Sequence, residues 1–91
     1  MDFIYIFSRN YCDILSLELP AAKYFNICGV ECLALTNNIW AKVHLAKAIT
    51  KITKCSALYE LIDAELEEFL MYNNYIHVDA FINVCLEGIC D

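Results

Sequence analysis

Six cysteines, two histidines and twelve carboxylates are the groups in this 91-residue chain that could do chemistry. Cys12, Cys28, Cys32, Cys55, Cys85 and Cys90 could pair as disulfides, ligate a metal or act as nucleophiles. Cys28 and Cys32 stand four apart, so they share one side of any helix that contains them, and with His44 or His77 they would offer thiolate and imidazole to zinc. No second close pair stands at zinc-finger spacing, so no metal is assigned, and the thiols read as small hydrophobes in a core. His44 and His77 have no acid and nucleophile beside them in sequence. No paired carboxylates, glycine-rich loop or nucleophile–base arrangement stands out either. The expectation is a chain that is not an enzyme and takes no cofactor.

Hydrophobic residues make up 60% of the chain and charged residues 20%, enough apolar surface to exclude a disordered acidic tail. The apolar periodicity predicts helices separated by short polar breaks. A first segment runs from about Phe3 to Leu19, with Phe3, Phe7, Tyr11, Ile14 and Leu15 at three- and four-residue steps. Its opening residues are β-branched and aromatic, so a short extended segment followed by a helix capped at Ser8 is the alternative. Pro20 suits the first turn of a second helix through Leu35, with Gly29 as a costly interior position. Asn38 caps a third helix from Ile39 to about Lys54, and Ser56 caps a fourth that runs to Tyr72 with Leu58, Leu61, Ile62, Leu66, Phe69 and Leu70 on its core face. Asn73-Asn74 ends it, and Asp79 caps a short fifth helix that stops near Gly88. Together these predict one domain over residues 1–91, an all-α compact bundle of four to five short antiparallel helices.

The charges are sorted along the chain. Residues 42–54 hold Lys42, Lys47, Lys51 and Lys54 and no acid, whereas residues 55–91 hold eight acids and no base, within a total of −6. On the fourth helix Glu60, Asp63 and Glu67 stack on the outer side at i, i+3, i+7, and Glu68 adjoins them. With Asp79 and Glu87 they form a candidate docking face for a basic partner, a layout that speeds association by steering. Glu65 falls inside the apolar arc and is read as an edge residue whose carboxylate reaches water. Trp40 sits on the polar side of the third helix. It is either an exposed interface anchor or is covered by the first or fifth helix, and burial is the favoured reading. Four lysines without arginine, on an acidic chain, argue against a helix-turn-helix reader of DNA.

In size, acidity and helical pattern the chain resembles the small immunity proteins that protect bacteria from nuclease toxins, those of contact-dependent inhibition and colicin systems. The resemblance spans the whole chain and carries no motif, so no family residue transfers. It implies one-to-one binding of a basic toxin domain; the net charge of −6 argues separately against direct contact with nucleic acid or an anionic membrane. The alternative is a phage- or virus-encoded inhibitor or nucleic-acid mimic that acts on a host defence complex. The N-terminus Met1-Asp2-Phe3-Ile4 has no basic region before its apolar run, so a cytoplasmic location is expected.

Overall fold

The computed structural model describes residues 2–89. It is a mixed α/β protein and not the all-α bundle expected: four helices lie against a four-stranded sheet. The chain runs β1 (Phe3–Phe7), α1 (Cys12–Glu18), β2 (Lys23–Ile27), β3 (Val30–Thr36), α2 (Ile39–Thr53), a 3₁₀ turn (Ser56–Leu58), α3 (Tyr59–Tyr72), β4 (Tyr75–His77) and α4 (Val78–Ile89).

The departures from the predicted helices have local causes. Phe3–Phe7 is the short extended segment that stood as the alternative to a first helix: its β-branched and aromatic residues suit a strand, and being apolar throughout it fits a period of two as well as one of 3.6. The predicted second helix is a hairpin. Cys28 (φ 51°) and Gly29 (φ 84°) both take positive φ, the pattern of a primed two-residue turn, and the Asn26 side chain accepts the Gly29 N–H at 3.0 Å. Gly29 is therefore the residue that permits the turn, not a weak point in a helix. Pro20 lies in the connection between α1 and β2. The 15-residue α2 begins where expected, with the Asn38 side chain accepting the Ala41 N–H at 2.8 Å, a cap that contributes about 1 kcal/mol. It ends at Lys54, which holds a left-handed φ of 57°. The fourth predicted helix forms as α3, preceded by the 3₁₀ turn, and Asn73 ends it. Leu61 and Phe69, expected in its core face, are exposed, whereas Ile62, Leu66 and Leu70 are buried.

The strand order is β2-β3-β1-β4. β3 pairs antiparallel with both β1 and β2, and β4 pairs parallel with β1. The β1-α1-β2 unit thus brackets β3, a split βαβ arrangement. Alternation along the strands sends Ile4, Ile6, Leu33, Leu35 and Ile76 to one face, where all five are buried. Leu15 of α1, Leu45 and Ile49 of α2, Ile62 and Leu66 of α3, and Ile82 of α4 complete the same cluster. Every helix therefore packs into a core on one side of the sheet. The opposite face of the sheet lies outside that core.

Candidate functional site

On α3 the stretch Glu60–Glu67 is bracketed by the buried positions Ile62, Leu66 and Leu70, which fix the direction of the core. At about 100° per residue, Glu60, Asp63 and Glu67 fall together on one flank of the helix, roughly 60–120° round from the buried side, over two turns or about 10 Å of helix. Glu68 lies about 80° further round from Glu60, on the side facing away from the core. Glu60, Glu67 and Glu68 are exposed and Asp63 is half-buried. Among the described residues the only ion pair joins Lys51 to Glu18, at 3.0 Å. The carboxylates of α3 are therefore not neutralised by the lysines of the neighbouring helix α2, and the stripe keeps one sign.

The other two predicted acids do not extend that stripe. Asp79 is in the first turn of α4, and its carboxylate turns inward to the loop between β1 and α1. One oxygen accepts the Ser8 hydroxyl at 2.5 Å; the other accepts the Arg9 N–H at 3.1 Å, the Asn10 N–H at 3.3 Å and the Asn10 side-chain amide at 3.1 Å. The reason is chain geometry: β4, too short to register in the periodicity, delivers Asp79 beside the end of β1. Glu87 is exposed on the side of α4 opposite buried Val78. α4 lies on the flank of α3 that carries Glu65, which shares a groove with Phe69, Phe81 and Val84. Glu65 is exposed, and the stripe of Glu60, Asp63 and Glu67 lies on the other flank.

Trp40 is 69% exposed, which corrects the expectation that a neighbouring helix covers it. On α2 it shares an outer line with His44, Lys47, Lys51 and Lys54. Beside Leu19, Pro20 and Ala41 it borders a groove of about 500 Å³. The molecule thus presents a basic line with an exposed indole on α2 and an acidic line on α3.

Among the described residues the thiols do not assemble as a ligand set. Cys28 is exposed in the hairpin turn and Cys32 is buried in β3, so the four-residue spacing does not place them on one helix side. Cys12, Cys32 and Cys85 are buried free thiols. Burial pushes all three up from the ordinary 9.0, with the charge of Glu31 adding at Cys12 and that of Glu65 at Cys85. Cys90 lies outside the described residues. Among the described residues no group of three or more His, Cys, Asp or Glu side chains is placed to hold a metal ion. His77 is stacked on Phe7 at 5.1 Å between ring centroids, and Tyr75 meets its edge at 5.8 Å.

That histidine belongs to a surface the sequence reading missed. The register lines up His77, Phe7, Cys32 and Phe25 across all four strands, and Tyr75, Tyr5, Ala34 and Lys23 beside them. These side chains point away from the helices. Phe25 and Tyr75 are more than 40% exposed, as are Ile27 and Val30 at the hairpin end of the same face. Cys32 and Ala34 are buried between larger row neighbours, and at the β4 end Phe7, Val30 and His77 line a cavity with Arg9 and Asp79. Only the pairing register reveals this, because each aromatic is ordinary in its own strand.

The chain matches no protein-family model, no curated protein and no solved structure.

Proposed function

We propose that the protein is a non-catalytic binding module of the inhibitor type, acting in the cytoplasm, which captures a basic protein domain on the outer face of α3. The supporting observation is the run Glu60, Asp63, Glu67 and Glu68, exposed or half-exposed, of one sign, and free of ion pairs with the molecule's own lysines. A rigid helix holds the carboxylates at fixed spacing, so they arrive preorganised for a cationic surface and pay little entropy on docking. A surface of this kind would occlude the cationic cleft with which a nuclease holds its substrate, which is the action of an immunity protein. Among the described residues no helix is long and apolar enough to cross a membrane.

The test places a photo-crosslinking residue at Ala64, exposed on the same side of α3, and at Asn83 on α4 as a control. The expected product from Ala64 is a crosslink to a protein with a strongly basic domain. That product is lost when Glu60, Asp63 and Glu67 are all changed to Lys, and it is absent from the Asn83 label. An unchanged crosslink in the charge-reversed protein overturns the proposal.

A further inference from the structure

We propose that the free edge of β4 takes up an extended peptide segment of another protein as a fifth strand, one that carries an apolar residue and a Lys or Arg two positions from it. The inference is independent of the acidic-face reading, because the groove concerned lies on the other flank of α3.

The backbone specifies an extended chain. β4 is at the edge of the sheet and pairs with β1 alone. The Tyr5 N–H donates to the Asn74 carbonyl at 2.9 Å. By alternation the backbone groups of Asn74 and Ile76 turn to β1 and those of Tyr75 and His77 turn outward, where no strand meets them. A groove of about 410 Å³ lies along this edge. Tyr75, Ile76 and His77 all line it, which side chains alternating between two faces cannot do by themselves, so the backbone edge of the strand forms part of its wall.

The helices beside that edge specify an apolar side chain. Phe69 of α3 and Phe81 and Val84 of α4 line the same groove, and Phe69 and Val84 are 37% and 68% exposed. The sheet is one strand too narrow to cover them. On β1 and β4 the side chains that point to the helices include Ile6 and Ile76, both buried. A strand added about 4.8 Å beyond β4 sets its own side chain next to Ile76 in that row, over Phe69 and Val84.

Charge adds the basic residue. Glu65, one turn before Phe69, also lines the groove; among the described residues it makes no ion pair, and residues 55–91 hold no lysine or arginine. Four residues of α3 advance about 6 Å and two residues of a strand about 6.7 Å, so side chains two apart on the incoming strand reach Phe69 and Glu65 together. The short edge offers few backbone hydrogen bonds, which leaves selectivity to these two side chains. An acidic segment is repelled here, and pairing β4 with β4 of a second copy about a two-fold axis opposes the two Glu65 carboxylates.

The test selects peptides from a random displayed library on the full wild-type chain, counter-selects on Val84→Asn, and follows the best peptide by amide NMR. Val84 and Glu65 are exposed, and the amide spectrum checks that Val84→Asn and Glu65→Gln fold. Enriched peptides should carry Leu, Ile, Val or Phe with Lys or Arg two positions away. Binding should slow hydrogen exchange of the Tyr75 and His77 amides at least about tenfold, the mark of a newly paired edge. Glu65→Gln and Val84→Asn should each weaken binding at least about threefold. No enrichment over the Val84→Asn counter-selection overturns the proposal, as do enriched peptides without a basic residue. Binding that leaves the Tyr75 and His77 amides unprotected overturns it, since the peptide then docks by side chains alone. Self-association of wild type that Val84→Asn abolishes overturns it as well, because the occupant is then a second copy.

Discussion

Ser8 and Asp79, 71 positions apart, share a 2.5 Å hydrogen bond that ties the end of the first strand to the start of the last helix. Ser8 is buried, and its hydroxyl oxygen also accepts the Tyr11 N–H at 2.9 Å, so one side chain links β1, the entry to α1 and α4. The Arg9 and Asn10 N–H groups of the same loop both donate to the second oxygen of that carboxylate.

Replacing Asp79 with Ala strips the acceptor from a buried hydroxyl and two backbone N–H groups. The expected loss is about 2–3 kcal/mol, which lowers Tm by roughly 10–20 °C in a domain of this size. Glu87→Ala, at an exposed position on the same helix, changes stability by less than about 0.5 kcal/mol. Equal melting of the two variants would show that the Asp79 contacts contribute nothing.

Gly29 offers a test by sign. With φ at +84° and no atom within 4 Å of an added Cβ, Gly29→Ala meets no clash but forces alanine into left-handed backbone, at a cost of about 1 kcal/mol. In a helix interior the same substitution would stabilise by about that amount. Cys28→Asn, at φ 51°, should raise stability, since asparagine tolerates this region and Asn-Gly suits the turn. Urea midpoints of the two variants decide; stabilisation by Gly29→Ala would refute the hairpin.

The helical half of the fold was legible because its signals are local. Asn38 caps α2 as its side chain allows, and Ile62, Leu66 and Leu70 repeat with the helical period that buries them. The first strand was legible as the alternative reading, because its opening residues are β-branched and aromatic, whereas the hairpin and β4 were not, for two reasons. Tyr24, Phe25, Ile27 and Cys28 satisfy i, i+3, i+4 spacing, yet Lys23, Phe25 and Ile27 also alternate with Tyr24 and Asn26, and the pairing with β3 chooses the second period. β4 is three residues long and has no period to detect. The acidic stripe on α3 was readable from one helix alone. The redirection of Asp79 and the aromatic sheet face depend on partners dozens of residues away, which no local pattern encodes.

Ile62 has no solvent exposure, and Leu61 beside it is 42% exposed. Ile62→Ala is expected to cost about 2–5 kcal/mol, whereas Leu61→Ala costs under about 1 kcal/mol. Chemical denaturation of both measures the register of α3; similar losses would mean that the helix is rotated from the position described.

The buried thiols set an alkaline limit. Cys12, Cys32 and Cys85 are held above 9.0 by burial, so above that pH the unfolded chain releases protons that the folded chain retains. The unfolded state then binds fewer protons, and stability falls as pH rises from about 9 toward the folded values. The urea midpoint should be level below pH 9 and decline above it. Replacing the three cysteines with Ala, if the protein still folds, should flatten the decline, and an unchanged slope would assign it elsewhere.

The most direct measurement of the central claim is the association rate constant for the crosslinked partner against ionic strength, for wild type and for the variant carrying Lys at positions 60, 63 and 67. Wild type should bind fast at low salt and slow steeply as salt rises; the variant should bind at least about tenfold slower at low salt with a shallow or inverted salt dependence. Equal rates and equal salt slopes for the two proteins would contradict an acidic capture face on α3.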